Sequence, residues 1–194
     1  MFSHRLTTVA LTLLMGGGPS IAFAQGRPDP TALIAAERAA MTQLAYMDGV
    51  WRGPAWIILA SGERHTITQT ERIGPLLDGS IKLIEGRGYN EDGSVGFNAF
   101  GIISYNPGTH AYSLHSHAQG YVGDFDVRLT SDGYVWEIPA GTATIRYTTT
   151  IQNGAWQEVG ERIVPGQDPV RIFEMNLTRV GDTTWPGAGA VPRQ

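Results

Sequence analysis

"TIRYTTTIQNGAWQEVGERI", residues 144–163, reads as two strands and the turn between them. In the first strand Ile145, Tyr147 and Ile151 alternate with Thr144, Arg146, Thr148 and Thr150. Successive side chains on a strand point to opposite faces, so this spacing predicts one dry face and one wet face. The alternation sends Arg146 to the wet side. "QNGA" supplies the glycine beside asparagine that a tight turn requires. In the second strand Glu158 and Glu161 stand three positions apart and point to opposite faces. One of them is expected to face inward, where a buried carboxylate needs an arginine or histidine partner.

The same pattern extends in both directions. In "YVGDFDVRL" (121–129) Tyr121, Gly123, Phe125, Val127 and Leu129 oppose Val122, Asp124, Asp126 and Arg128. In "RIFEMNLTR" (171–179) Phe173, Met175 and Leu177 oppose Glu174, Asn176 and Thr178. These four strands are bounded at Thr142–Ile151, Trp156–Val164, Tyr121–Leu129 and Val170–Val180, and the further candidates are Trp51–Ala60, His65–Ile73, Ser80–Tyr89, Val95–Tyr105, Ala111–His117 and Tyr134–Ile138. Glycine-bearing turns such as "LDGS", "NEDGS", "NPGTH" and "VPGQD" separate them. Ten short strands joined this way describe an antiparallel meander, and closing it into a barrel removes its two raw edges. The expected fold is therefore all-β: an up-and-down barrel of about ten strands, dry inside and roomy enough for a small ligand.

One helix precedes the strands. "PDPTALIAAERAAMTQLAYM" opens with Asp29 as N-cap and Pro30 in the first turn. Leu33, Ile34, Ala40, Met41 and Leu44 then recur near helical spacing, with Glu37 and Arg38 on another side. This predicts a helix over roughly 30–45, positioned to plug one end of the barrel. Ahead of it, residues 1–24 read as a signal peptide. His4 and Arg5 precede the apolar run Val9–Met15, and Ala22-Phe-Ala24 offers a cleavage site before Gln25. The apolar run is too short to span a bilayer. The expected organisation is a signal peptide at 1–24, a segment with the capping helix at 25–46, the barrel at 47–180 and a loose Gly/Pro-rich tail at 181–194.

Export, to a periplasm or beyond, is compatible with the absence of cysteine, because a domain of this size needs no disulfides. Without Arg5, the 13 remaining basic residues face 18 acids, a net charge of −5 that argues against nucleic acid.

At "LAYMDGVWRGPAW" (44–56) a helix end meets Gly49-Val50-Trp51-Arg52-Gly53 on the first strand. This combination resembles the DUF1579 family of small bacterial proteins and is similar, more distantly, to nitrobindin and to calycin barrels generally. The resemblance spans about residues 33–180 and implies a lipocalin-like barrel with no settled chemistry. In such barrels the tryptophan closes one end of the core and the glycines permit tight packing. Nitrobindin-type barrels hold haem through a histidine on the last strand. Here Ile172 or a near neighbour takes that place and no histidine follows His117, which argues against haem held in that manner.

"SLHSHAQG" (113–120) sets two imidazoles on one strand face. A cupin-like metal site would add a glutamate and a later histidine, and neither exists; two histidines are half a zinc site. Two readings remain open. Either Tyr112, Leu114 and Ser116 point inward and the histidines outward, or the histidines line the cavity near its mouth, as the glycine-rich bend after them suggests. "QTERIG" places Gln69 and Glu71 on one face with the same ambiguity.

No nucleophile motif is present. The leading expectation is thus an exported barrel that binds a small hydrophobic or amphipathic molecule, without cofactor, metal or catalytic residue. Its expected lining is His115, His117, Tyr121, Phe125, Tyr147, Trp51, Phe97 and Glu161. The alternatives are an isomerase or hydrolase of barrel type using one of the histidines with an inward glutamate, and an envelope scaffold acting through its loops. Oligomeric state is left open.

Overall fold

The computed structural model describes residues 28–187; the expected signal peptide and the last seven residues fall outside them. Ten antiparallel strands form a closed barrel: β1 (Gly49–Ile58), β2 (Arg64–Leu76), β3 (Ile81–Tyr89), β4 (Val95–Asn106), β5 (Ala111–Ala118), β6 (Tyr121–Leu129), β7 (Gly133–Ala140), β8 (Ala143–Gln152), β9 (Ala155–Ile163) and β10 (Val170–Gly181). Each strand pairs with its sequence neighbours, and β1 pairs with β10 to close the ring. The expected meander and its closure are both present. β2 is longer than its alternation suggested because its far end keeps pairing with β3, down to Leu76 opposite Ile81.

The turn between β8 and β9 has positive φ at both central residues, 52° at Asn153 and 75° at Gly154. That is the conformation in which an Asn-Gly hairpin matches the twist of its strands.

Helix α1 (Pro30–Thr42) starts where Asp29 accepts a hydrogen bond from the Thr31 amide at 3.0 Å. A short 3-10 turn, Ala45–Met47, continues it. Met41, Leu44 and Met47 are buried against Trp51, Ile73, Ile103, Leu114, Tyr134, Ile151 and Trp156, so this segment seals one end of the barrel. Ile34, expected on the apolar stripe, is 42 % exposed, because the contact uses the last turns of the helix. Three polar contacts fix the plug. Tyr112 Oη donates to the Ala40 carbonyl at 3.0 Å, Trp51 Nε1 donates to the Met47 carbonyl at 2.8 Å, and the buried Lys82 ammonium pairs with Asp48.

Of the tail expected at 181–194, the described residues reach 187. Trp185 lies under the Arg72 guanidinium, 4.6 Å from it, and its carbonyl packs on Gly74. A cation over an aromatic face and a side-chain-free strand position explain the docking.

The seams are unequal. β6 and β7 share three register pairs, Val127–Trp136, Arg128–Val135 and Leu129–Tyr134, against six or more at every other seam. All three lie toward the plugged end. Towards the opposite end, the mouth, residues 121–126 of β6 and 137–140 of β7 run without a mutual ladder.

Gly53 sets the closure. A Cβ there would come within 2.0 Å of the Asn176 carbonyl oxygen on β10. Backbone cannot yield as a side-chain tip can, so Gly53→Ala is expected to cost about 2–3 kcal/mol or to prevent folding. Urea unfolding followed by circular dichroism measures this; a variant as stable as the parent would show that the seam is not held at this point.

Candidate functional site

The registers assign every strand residue to a face. Trp51 stands opposite Glu71, Glu71 opposite Gly86, Met175 opposite Glu158, Glu158 opposite Thr149 and Thr149 opposite Tyr134. Trp51, Met175 and Tyr134 are core, so the whole set points inward. The interior has three levels. Next to the plug is the apolar core, in which Trp51 meets Trp156 edge-on with centroids 5.6 Å apart. Above it lies a polar floor of Gln69, Glu71, Tyr134, Thr149 and Glu158, all buried. Above that, towards the mouth, inward-facing Ile67, Phe97, Phe125, Trp136, Tyr147 and Phe173 are half-buried.

Four of these rings form a continuous arc. Phe125 and Trp136 are 5.3 Å apart, Trp136 and Tyr147 stack at 4.4 Å and 11°, and Tyr147 meets Phe173 at 5.7 Å. Gly160 lies between Tyr147 and Phe173, and a Cβ there would press on both at 2.9 Å. Beyond Phe125, the inward positions Ala99, Ser116 and Ala118 on β4 and β5 are small and half-buried, with Phe97 beside them.

The floor is a pair of carboxyls with local partners and no cation. Gln69 Nε2 donates to Glu71 Oε1 at 2.7 Å, and Thr149 Oγ1 donates to Glu158 Oε2 at 2.6 Å. Glu71 Oε2 has no hydrogen-bond partner, and neither does Trp156 Nε1. The Glu71 carboxyl lies over Gly86, whose missing Cβ would sit 2.8 Å from Oε1. Burial raises Glu71 to about 8, with the Glu158 charge adding to the effect against the Gln69 hydrogen bond. Burial raises Glu158 to about 7, opposed by the Thr149 hydrogen bond. Tyr134 is pushed up by burial and then by the Glu158 charge. Among the described residues the inward-facing basic groups lie elsewhere. Lys82 is at the plug on Asp48, Arg179 is at the same end on the Asp48 carbonyl and Asp182, His65 is near the mouth with Nε2 3.1 Å from Asn90 Oδ1, and Arg162 is exposed at the mouth.

The expected lining residues are distributed unevenly. Phe125, Tyr147 and Phe97 face the upper interior. Tyr121 shares that face but stands on the rim, 81 % exposed. Trp51 is 1 % exposed within the lower core, away from the mouth. Glu161 points outward, because it pairs with outward-facing Arg146; the inward glutamate of this strand is Glu158. His115 and His117 also point outward, since Leu114 and Ser116 take the inward positions opposite Ile103 and Gly101.

On the outer face the histidines form a chain. Asp124 Oδ1 is 2.7 Å from His115 Nδ1, and His115 Nε2 is 3.2 Å from His117 Nε2. His117 borders a shallow, open depression of about 600 Å³ with Glu85, Arg87 and Phe100. No group of three potential metal ligands gathers among the described residues. The pairing of either histidine with an inward glutamate does not form, because the sheet wall separates them.

Sequence reasoning noted Gln69 and Glu71 but did not place them in a site; Trp136, Phe173, Thr149 and Tyr134 were not singled out for one. The available signal was the set Ile67, Gln69, Glu71, Ile73, whose apolar ends mark the inward face.

The chain matches no family model, and no curated protein matches it. Among solved structures it is similar to the crystal structure of Rv2717c from M. tuberculosis, with 13 % identity over 72 % of this chain and 96 % of that one and a TM-score of 0.55. At that identity the likeness concerns the fold. No helix among the described residues is long and apolar enough to cross a membrane.

The floor makes stability depend on pH in a defined direction. Both carboxyls hold their protons in the folded chain up to about 8 and 7, whereas free glutamate ionises at 4.5. Their stabilising contribution is full below 4.5 and is lost as pH rises through 7 and then 8. Unfolding free energy is expected to fall across that window by up to about 1.4 kcal/mol per pH unit for each carboxyl. Glu71→Gln and Glu158→Gln should each flatten the slope and gain about 2 kcal/mol near the alkaline end. Urea titrations at a series of pH values test this; curves parallel to the parent's would refute it.

Proposed function

We propose that this chain is an exported, lipocalin-like barrel, of the kind the DUF1579 resemblance implies, that holds a small hydrophobic or amphipathic molecule in its upper half. Export rests on the sequence of residues 1–24. The binding reading rests on one observation: Phe97, Phe125, Trp136, Tyr147 and Phe173 face the barrel axis yet stay half-buried, while Trp51 and Trp156 below them are closed off. Rings that keep part of their surface accessible at the uncovered end offer apolar area for a ligand to cover. Apolar walls with a few convergent polar groups make a small-molecule site.

Two features supply an entrance. Ile57, Leu59, Val95, Tyr121, Val122 and Val170, all at the mouth, are exposed. The unladdered stretch between β6 and β7 opens beside Phe125 and Trp136. An apolar rim leading to an aromatic wall favours a ligand that sheds water as it enters.

Native mass spectrometry of gently purified protein is expected to show a bound small molecule. After extraction, N-phenyl-1-naphthylamine, an uncharged fluorescent probe, should bind saturably at one site per chain. Trp136→Ala should weaken it by about tenfold, as loss of a stacked aromatic does, and His117→Ala on the outer face should leave it unchanged. Probe binding that is absent, or indifferent to Trp136, would overturn the proposal.

A further inference from the structure

We infer that the occupant of the cup is an organic cation: an amphipathic amine whose ammonium reaches the floor at Glu71 and Glu158 while its body lies along the aromatic arc. The inference builds on the binding-barrel reading and assigns the ligand's charge.

Glu71 carries the argument. Its side chain points into the interior and only 8 % of the residue is exposed, yet Oε2 meets no donor and no acceptor. Gln69 already donates to Oε1, so a proton held by Glu71 sits on Oε2, where nothing accepts it. Leaving such a group unpaired in the interior is costly, and once its proton is lost Oε2 can accept from a donor that a ligand brings. Glu158, with Thr149 on its Oε2, stands close enough for its charge to act on Glu71. Two acids in one dry floor without a cation are held protonated by burial, and a cation docked beside them would let one of them ionise.

Tyr134 and Tyr147 present phenols to this floor, Lys82 is engaged with Asp48 at the plug, and Glu85 lies on the outer face of β3, paired with Arg72 and Arg87. An anionic headgroup would add a third acid where no basic side chain waits, since His65 and Arg162 lie near the mouth. The exchange balances: the ammonium docks with its own protons, the Glu71 O–H bond breaks, and that proton leaves to solvent as the ion pair forms.

The test uses three indoles of one size and different charge: tryptamine, tryptophol and indole-3-acetate. Isothermal titration at a pH of about 7 in two buffers of unlike ionisation enthalpy reads affinity and proton release together. Tryptamine is expected to bind at least tenfold more tightly than tryptophol, with indole-3-acetate weakest, and to release about one proton per molecule bound. Its affinity should rise with pH until Glu71 is ionised in the empty protein.

Glu71→Gln should abolish both the preference and the proton release while N-phenyl-1-naphthylamine still binds. If that variant does not fold, Glu158→Gln, with the wild-type proton count, carries the same decision. Probe binding without a preference for tryptamine, or with no proton released, overturns the cation assignment and leaves the cup standing. Absence of binding by the probe and by all three indoles overturns the cup and the assignment together.

Discussion

Everything described here depends on β1 being paired along both of its edges. Its ladder with β2 is local, built from a short turn, but its ladder with β10 joins residues more than a hundred positions apart. Closing so long a loop is entropically expensive and succeeds only where the two backbones can approach. Gly53 provides that approach, because Asn176 occupies the space a side chain would need. Once the ring is shut, alternation along each strand becomes a division between inside and outside. Every polar residue on the inner register must then find its partners within the barrel. Gln69 with Glu71 and Thr149 with Glu158 are the consequence.

The two ends of the ring receive different treatment. The N-terminal segment delivers Met41, Leu44 and Met47 to one end, and these with the two tryptophans complete a packed core. No comparable element covers the opposite end among the described residues, so the aromatics there keep part of their surface accessible. The seam between β6 and β7 is short on that same side. Stability and access are therefore separated along the barrel axis. The plugged half supplies the burial that holds the fold, and the opposite half keeps its aromatic side chains partly accessible.

The architecture was readable in the sequence because each strand is short, alternating and bounded by a glycine turn. β6 and β10, with clear apolar and polar registers, were assigned to the right faces from their residues alone. β5 was not, for a physical reason: its inner register contains Ser116 and its outer register contains two imidazoles, so neither side is distinctly dry. β9 shows the same difficulty. Val159 lies on the outside and Glu158 on the inside, which inverts the usual preference and directed attention to Glu161. Trp51 was understood as a closing residue from its motif, but its distance from the mouth appeared only with the registers. The floor was the least readable part, because it assembles Gln69 and Glu71 on β2 with Tyr134, Thr149 and Glu158 from three other strands. No local pattern reports that convergence.

The outer surface shows how this chain handles a carboxylate when pairing is the aim. Burial alone would raise Glu85, but Arg72 and Arg87 outweigh it and its pKa falls below the ordinary value. Arg146 and Arg128 hold Glu137 low, and Asn176 with Arg171 does the same for Glu174. Arginine is plentiful in this sequence, and a guanidinium reaches a carboxylate readily across neighbouring strands. Yet the two carboxyls that burial penalises most face the barrel interior with an amide and a hydroxyl for company. Folding does not call for acids there: a glutamine would keep the shape and shed the cost of a charge. Such a group, costly to the fold and next to partly accessible aromatic surface, is what the proposed cationic occupant would account for. That floor of two buried carboxyls without a cationic partner is what separates this barrel from one lined with apolar side chains throughout.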